Sequence, residues 1–166
     1  MEKTLYLMRH AKSSWKEALP DRERPLNRRG KKAAKRIGRE LARRRLYPDL
    51  ILASDAKRAR STAKRLRRAF APEAKPPLLL NPAIYEADAL KILREIAQTD
   101  ETIRNLMVVG HNPGISELAV LLTGDRSLQW LPTGAVIGMK IEGKRWKEIG
   151  PGAGKVFLRL YPRELE

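Results

Sequence analysis

The chain contains only two histidines, and each stands in a short polar cluster directly after an apolar run. Arg9-His10 follows Thr4 to Met8, and His111-Asn112 follows Asn105 to Val109. A third cluster, Ser54 to Arg58, follows Leu50 to Ala53 in the same way. One histidine in such a place is more often structural than reactive, whereas two at matching positions point to a shared site. The chemistry such a set suits is phosphoryl transfer. Guanidinium groups present planar forks that match phosphoryl oxygens and stay charged at any ordinary pH. A neutral imidazole can attack phosphorus and form a phosphoenzyme, which divides one hard displacement into two easier ones. A second imidazole, if protonated, would stabilise the charge spread over the equatorial oxygens. This chemistry needs neither a metal nor an organic cofactor.

The elements that must position these residues alternate between strand and helix patterns, which predicts α/β layering. Thr4 to Met8 is a short β-prone run. Residues 26–46 read as a helix: Asn27 is a plausible N-cap, and Ala33, Ala34, Ile37, Leu41 and Leu46 fall at three- and four-residue steps. Leu50 to Ala53 is a second strand, followed by a helix beginning near Ala56. Leu78 to Leu80 is a third strand, Ala89 to Ala97 a helix, Asn105 to Val109 a buried parallel strand and Ile115 to Leu122 a last helix. Ala135 to Ile141, Arg145 to Ile149 and Val156 to Leu160 are separated by glycine-rich turns and suggest a closing β-meander. All three polar clusters then lie at the C-terminal ends of strands, where open α/β sheets bind their ligands. The expectation is a single domain over residues 1–166, a three-layer α/β/α sandwich with a mostly parallel central sheet.

Composition narrows the function classes. There is no cysteine, which removes disulfides, thiolate metal sites and thiol catalysis together. No apolar run approaches the roughly 20 residues of a membrane-spanning helix, and the N-terminus shows no leader pattern, so a cytoplasmic protein with no membrane partner is expected. The net charge of +16 is carried entirely by residues 1–75, which hold 24 Lys plus Arg against 8 Asp plus Glu; residues 76–166 hold 11 of each. Such a field favours phosphorylated partners or polyanions, although runs such as Lys31-Lys32, Lys35-Arg36 and Arg43-Arg44-Arg45 also suit a solvated helix face. Gly150-Pro151-Gly152-Ala153-Gly154-Lys155 imitates a phosphate-binding loop, but Ile149 stands where the first glycine is needed and Val156 where Ser or Thr is. The tryptophans and Tyr47, Tyr85 and Tyr161 are not interleaved with a basic stripe. Nucleic-acid binding therefore rests on charge alone, with Arg43, Arg44 and Arg45 its candidate contacts.

Four segments taken in order carry a family resemblance: Leu7-Met8-Arg9-His10-Ala11-Lys12-Ser13-Ser14-Trp15, Arg24-Pro25-Leu26-Asn27-Arg28-Arg29-Gly30, Ser54-Asp55-Ala56-Lys57-Arg58-Ala59-Arg60-Ser61-Thr62-Ala63, and Val109-Gly110-His111-Asn112-Pro113-Gly114. Over roughly residues 4–123 the chain resembles the histidine phosphatase superfamily, with its phosphoglycerate mutase-like fold. The Arg-His-Ala form and small size look most like the compact phosphohistidine phosphatase, SixA-type, branch. The resemblance implies a metal-independent phosphatase in which His10 is the nucleophile, Arg9 and Arg58 clamp the phosphate and His111 is the second pocket histidine. Ser13 and the backbone of Asn112 match positions that line the pocket. Glu86, in Ile84-Tyr85-Glu86-Ala87-Asp88, is the candidate general acid, although a glutamate before a helix capped by Asp88 equally fits a surface role. A phosphoramidate leaves more easily than an alkoxide, so this acid matters less for phosphohistidine. Asp55 stands where the family usually has proline, and Lys16 where longer members have asparagine. With only about 23 residues between Pro82 and Asn105, most of them needed for a helix, little chain remains to roof the pocket. That favours phosphohistidine on a protein, with small phosphomonoesters as the alternative substrate.

Overall fold

A computed structural model describes residues 2–166. In a strand, successive side chains point to opposite faces, and here both faces are apolar: Leu5 and Leu7 of the first strand belong to one core, Tyr6 and Met8 to another. Such strands must be covered on both sides. The six strands, β1 (Glu2–Arg9), β2 (Leu50–Ala53), β3 (Leu78–Leu80), β4 (Asn105–Gly110), β5 (Val136–Glu142) and β6 (Gly154–Leu160), form one sheet in the order β3-β2-β4-β1-β5-β6. The pairs β3-β2, β2-β4 and β4-β1 are parallel, and β5 and β6 extend the sheet antiparallel.

Helices α1 (Arg28–Arg43) and α2 (Lys57–Phe70) cover the face carrying Tyr6, Met8, Ile51, Met107 and Val109. Helices α3 (Ala89–Ala97) and α4 (Gly114–Thr123) cover the face carrying Leu5, Leu7, Leu52, Leu106 and Val108. This is the mostly parallel three-layer α/β architecture read from the sequence. The chain leaves β1 toward one face and β4 toward the other, so the parallel pair β1/β4 is the point where the connections diverge and a crevice opens. Register pairs Arg9 with Gly110, which sets His10 beside His111.

Local chemistry explains the element limits. Asn27 caps α1 by accepting from the Gly30 amide at 2.8 Å, and Ala34, Ile37 and Leu41 are buried on its inner face. The helix ends at Arg43 rather than reaching 46, because Arg45 adopts a left-handed backbone (φ 56°); Leu46 still packs on the core. Gly30 cannot carry a side chain, since a Cβ there would sit 2.0 Å from the Lys12 carbonyl oxygen. This contact holds the segment after His10 against the start of α1. The expected strand at residues 145–149 is corrected to a 3₁₀ turn at Trp146–Glu148. Trp146 is fully buried and donates from its indole nitrogen to the Ile103 carbonyl at 2.8 Å, so the segment plugs the base of the α3 layer instead of joining the sheet. Among the described residues no helix is long and apolar enough to cross a membrane.

Candidate active site

Arg9 and His10 leave the end of β1, Ser54 the end of β2, and Gly110 and His111 the end of β4. Arg58 lies in the first turn of α2. The side chains of Arg9, His10, Arg58 and His111 meet in a cavity of about 330 Å³ that Lys12, Ser13, Trp15, Arg24, Asn112 and Thr133 also line. Backbone bonds fix the floor: the His10 amide donates to the Gly110 carbonyl at 3.0 Å and the Ser54 amide to the Val109 carbonyl at 3.0 Å. Thr62 of α2 accepts from the Ala11 amide at 3.0 Å while donating to the Arg58 carbonyl at 2.7 Å, tying the turn after His10 to the helix that carries Arg58.

His10 is 7 % exposed, and its Nδ1 lies 2.7 Å from the Ala11 carbonyl oxygen. A carbonyl only accepts, so Nδ1 holds the proton and the neutral ring keeps its lone pair on Nε2. Burial pushes the His10 pKa down to about 3; the Ala11 contact opposes this, while His111, Arg58 and Arg9 add to it. His111 is lowered to about 4, again first by burial and then by Arg58. The two rings are 5.1 Å apart between centroids. Nε2 of His111 lies 2.7 Å from the Ser54 hydroxyl, whose oxygen already accepts from the Ala56 amide at 3.1 Å. With the serine proton given to Nε2, the neutral ring of His111 keeps its hydrogen on Nδ1.

That Nδ1, together with Arg9 Nε and Arg58 Nε, is buried without any hydrogen-bond partner. Unsatisfied buried donors are rare and call for an explanation. Three of them from residues lining one cavity, beside a neutral imidazole lone pair, describe a place for an anion with several acceptor oxygens. Arg9 is oriented by donating from Nη1 to the Leu131 carbonyl at 3.0 Å, and Asn112 donates to the same oxygen at 2.9 Å. Asn112 thus spends its side chain on the 131 turn and lines the cavity beside it.

Ser13 accepts from Arg24 Nη1 at 2.8 Å. Glu86 is exposed and does not line the cavity; it follows Tyr85, whose ring packs edge-on to His111 at 5.5 Å. The sequence reading missed two members of this neighbourhood. Arg24, 7 % exposed, lies in the cavity wall beneath the Trp15 ring, 3.4 Å from its centroid. Asp21 accepts from Arg58 at 2.9 Å, from Arg24 at 3.1 Å and from the Tyr85 hydroxyl at 2.5 Å, and its backbone carbonyl accepts from Arg58 Nη1 at 2.7 Å. The Tyr85 bond, then Arg58 and Arg24, hold its pKa well below the carboxylate range. An ionised Asp21 fixes the plane of Arg58 and leaves Nε directed elsewhere. The available signal was the nearness of Asp21 to Arg24-Pro25-Leu26.

A pH test follows from the histidines. Unfolded imidazoles titrate near about 6.5, above both folded values, so between the two the unfolded chain binds more protons. The stability tied to the neutral rings is complete above the unfolded pKa and is lost as pH falls. Depressed carboxylates such as Glu40 and Asp125, both lowered to about 2, add their own losses only near and below their unfolded pKa values of about 4. Melting temperature should therefore already decline between about pH 6.5 and 5, and the decline should be shallower in His10→Asn. Equal slopes in both proteins would show that the His10 ring does not resist protonation in the fold.

The fold, with histidines and arginines gathered at the C-terminal ends of its parallel strands, is that of a phosphatase, a hydrolase of phosphoryl groups. The chain belongs to the histidine phosphatase superfamily (branch 1), whose sequence profile matches residues 5–89. Its backbone is similar to that of the protein assigned as phosphohistidine phosphatase SixA in Agrobacterium tumefaciens, with TM-score 0.83 and 29 % identity, covering 96 % of this chain and 98 % of that one. A protein histidine phosphatase SixA solved with tungstate shares the fold at TM-score 0.81 and 19 % identity, over 98 % of this chain and 99 % of the other. An uncharacterised chloroplastic protein of Arabidopsis thaliana is 31 % identical over 168 residues, spanning 94 % of this chain and 76 % of its own length.

Proposed function

We propose that this phosphatase removes phosphoryl groups from phosphohistidine on a protein, through a phosphoenzyme on His10. The observation that carries the reading is the buried, neutral His10 with Nε2 free, among three unpartnered N–H donors. In the first step, with the other ring nitrogen of the substrate phosphohistidine protonated, the Nε2 lone pair of His10 attacks phosphorus, the bond from phosphorus to the substrate nitrogen breaks with its electron pair going to that nitrogen, and a neutral imidazole leaves. In the second, water attacks the phosphoryl group on His10, the P–Nε2 bond breaks and inorganic phosphate leaves. Arg9, Arg58 and His111 clamp the oxygens throughout, with Ser13 holding Arg24 and Asn112 bordering the site.

Two features support a protein-borne phosphoramidate over a small phosphomonoester. The connection from Pro82 to Asn105 is spent on a 3₁₀ turn and α3, and the rim carries exposed indoles, Trp15 at 78 % and Trp130 at 62 %. Asp21, the carboxylate on Arg58, is held ionised and so is a poor proton donor; Glu86 remains the candidate acid for ester substrates. The similarity to the Agrobacterium tumefaciens SixA protein supports the same substrate class. The test is a comparison of turnover on a histidine-phosphorylated protein, a phosphoserine peptide and several sugar phosphates, each with and without EDTA. Phosphohistidine should lead in kcat/KM with no effect of the chelator. Leadership by a sugar phosphate would overturn the assignment.

A further inference from the structure

Beside the phosphate cavity lies a second cleft of about 220 Å³, and the two share Lys12 and Thr133 in their walls. One wall is a single face of α1, with Arg29, Lys32 and Arg36 at helical spacing. The other is the C-terminal segment, which contributes Tyr161 and Arg163. The cleft thus holds five cationic side chains against one acidic residue, Glu166. Among the described residues none of these five cations forms an ion pair, whereas Arg43 and Arg44 at the far end of α1 are both taken up by Glu40. Like charges three and four residues apart on a helix repel. On the face that borders the catalytic mouth this repulsion is left unrelieved, as it also is for Lys35 and Arg39 in the groove between α1 and α2.

We infer that this cleft is a docking subsite for carboxylates on the protein that carries the phosphohistidine, so that the substrate presents an acidic segment next to its phosphorylated side chain. The inference rests on the phosphoprotein reading and specifies which phosphoproteins fit. The indoles near the mouth favour a protein over a free polyphosphate. Trp15 stacks on Arg24, and the Trp130 ring lies 5.6 Å from the Arg9 guanidinium. Both indoles are largely exposed, and a free inorganic chain has no apolar surface to offer them. A protein surface supplies apolar and acidic groups together, the usual mixture at a recognition patch.

The test uses the full chain and three substrates: free phosphohistidine, a phosphohistidine peptide flanked by Asp and Glu, and the same peptide flanked by Ala. The wild type should prefer the acidic peptide by about tenfold in kcat/KM at low salt, and the preference should shrink as salt is raised. Replacing Arg29, Lys32 and Arg36 together with Gln should erase the preference through KM while leaving free phosphohistidine unchanged. A second triple variant, Lys35→Gln, Arg65→Gln and Arg68→Gln, removes the same charge from the groove between α1 and α2, and it should keep the preference. Equal losses in both variants would assign the effect to the general field and overturn docking. No preference in the wild type, or strong inhibition by tripolyphosphate relieved only in the first variant, would overturn an acidic protein segment as occupant. Failure to hydrolyse any phosphohistidine substrate would instead sink the substrate reading itself.

Discussion

His10→Ala is expected to lower kcat by on the order of 10⁴-fold or more, the scale seen when a nucleophile is removed and only binding groups remain. The ring supplies the one lone pair that the cavity leaves unprotonated, because Nδ1 is committed to the Ala11 carbonyl. The second ring does not substitute in place, since His111 Nε2 is occupied by Ser54. The fold should survive: the segment is anchored by backbone bonds from His10 to Gly110 and from Ala11 to Thr62. The more exacting readout is the trapped intermediate. Wild type quenched during turnover should carry an acid-labile, base-stable phosphoryl group on the peptide containing residue 10, and His10→Ala should carry none. Label on His111, or activity within about a hundredfold of wild type, would remove His10 from the nucleophile's role.

Arg58→Ala should lower kcat/KM by about 10² to 10³-fold, the usual effect of deleting one preorganised donor from a charge-stabilising site. Arg58→Lys should recover little, because an ammonium group cannot hold Asp21 with two nitrogens and still direct a third toward the phosphate. The pH profile provides an independent check. Arg58 is among the charges that hold both His10 and His111 down. Without it, protonation of the rings becomes less costly, both pKa values rise, and the acid limb of kcat/KM moves to higher pH. A drop in rate with an unmoved acid limb would mean that Arg58 acts on binding alone and is not electrostatically coupled to the imidazoles.

The parts of this molecule that were legible in its sequence depend on short-range rules. Short continuous apolar runs identified β1, β2 and β4 because a strand buried on both faces leaves the same mark wherever it is placed. The Asn27 cap and the inner face of α1 were visible because both are settled within a few residues. Residues 145–149 were misread for the complementary reason. Their apolar pattern suits a strand, but what fixes Trp146 is the Ile103 carbonyl, more than forty residues away. Arg24 and Asp21 went unassigned because their local setting is a polar loop, and only Arg58, Ser13 and Tyr85 turn that loop into a cavity wall.

The sequence by itself determined the clusters at strand ends, the family and the positive charge of the first half, since each is carried by residue identity and local order. The tertiary structure decided which nitrogen of His10 is free, which donors are left without partners and which cations line the cleft beside the site. Those properties are relations between groups brought together by the parallel pairing of β1 and β4, and by the C-terminal segment folding onto α1. Burial then fixes their protonation: an imidazole in water is a weak base near neutrality, and the same ring enclosed beside two guanidinium groups stays neutral.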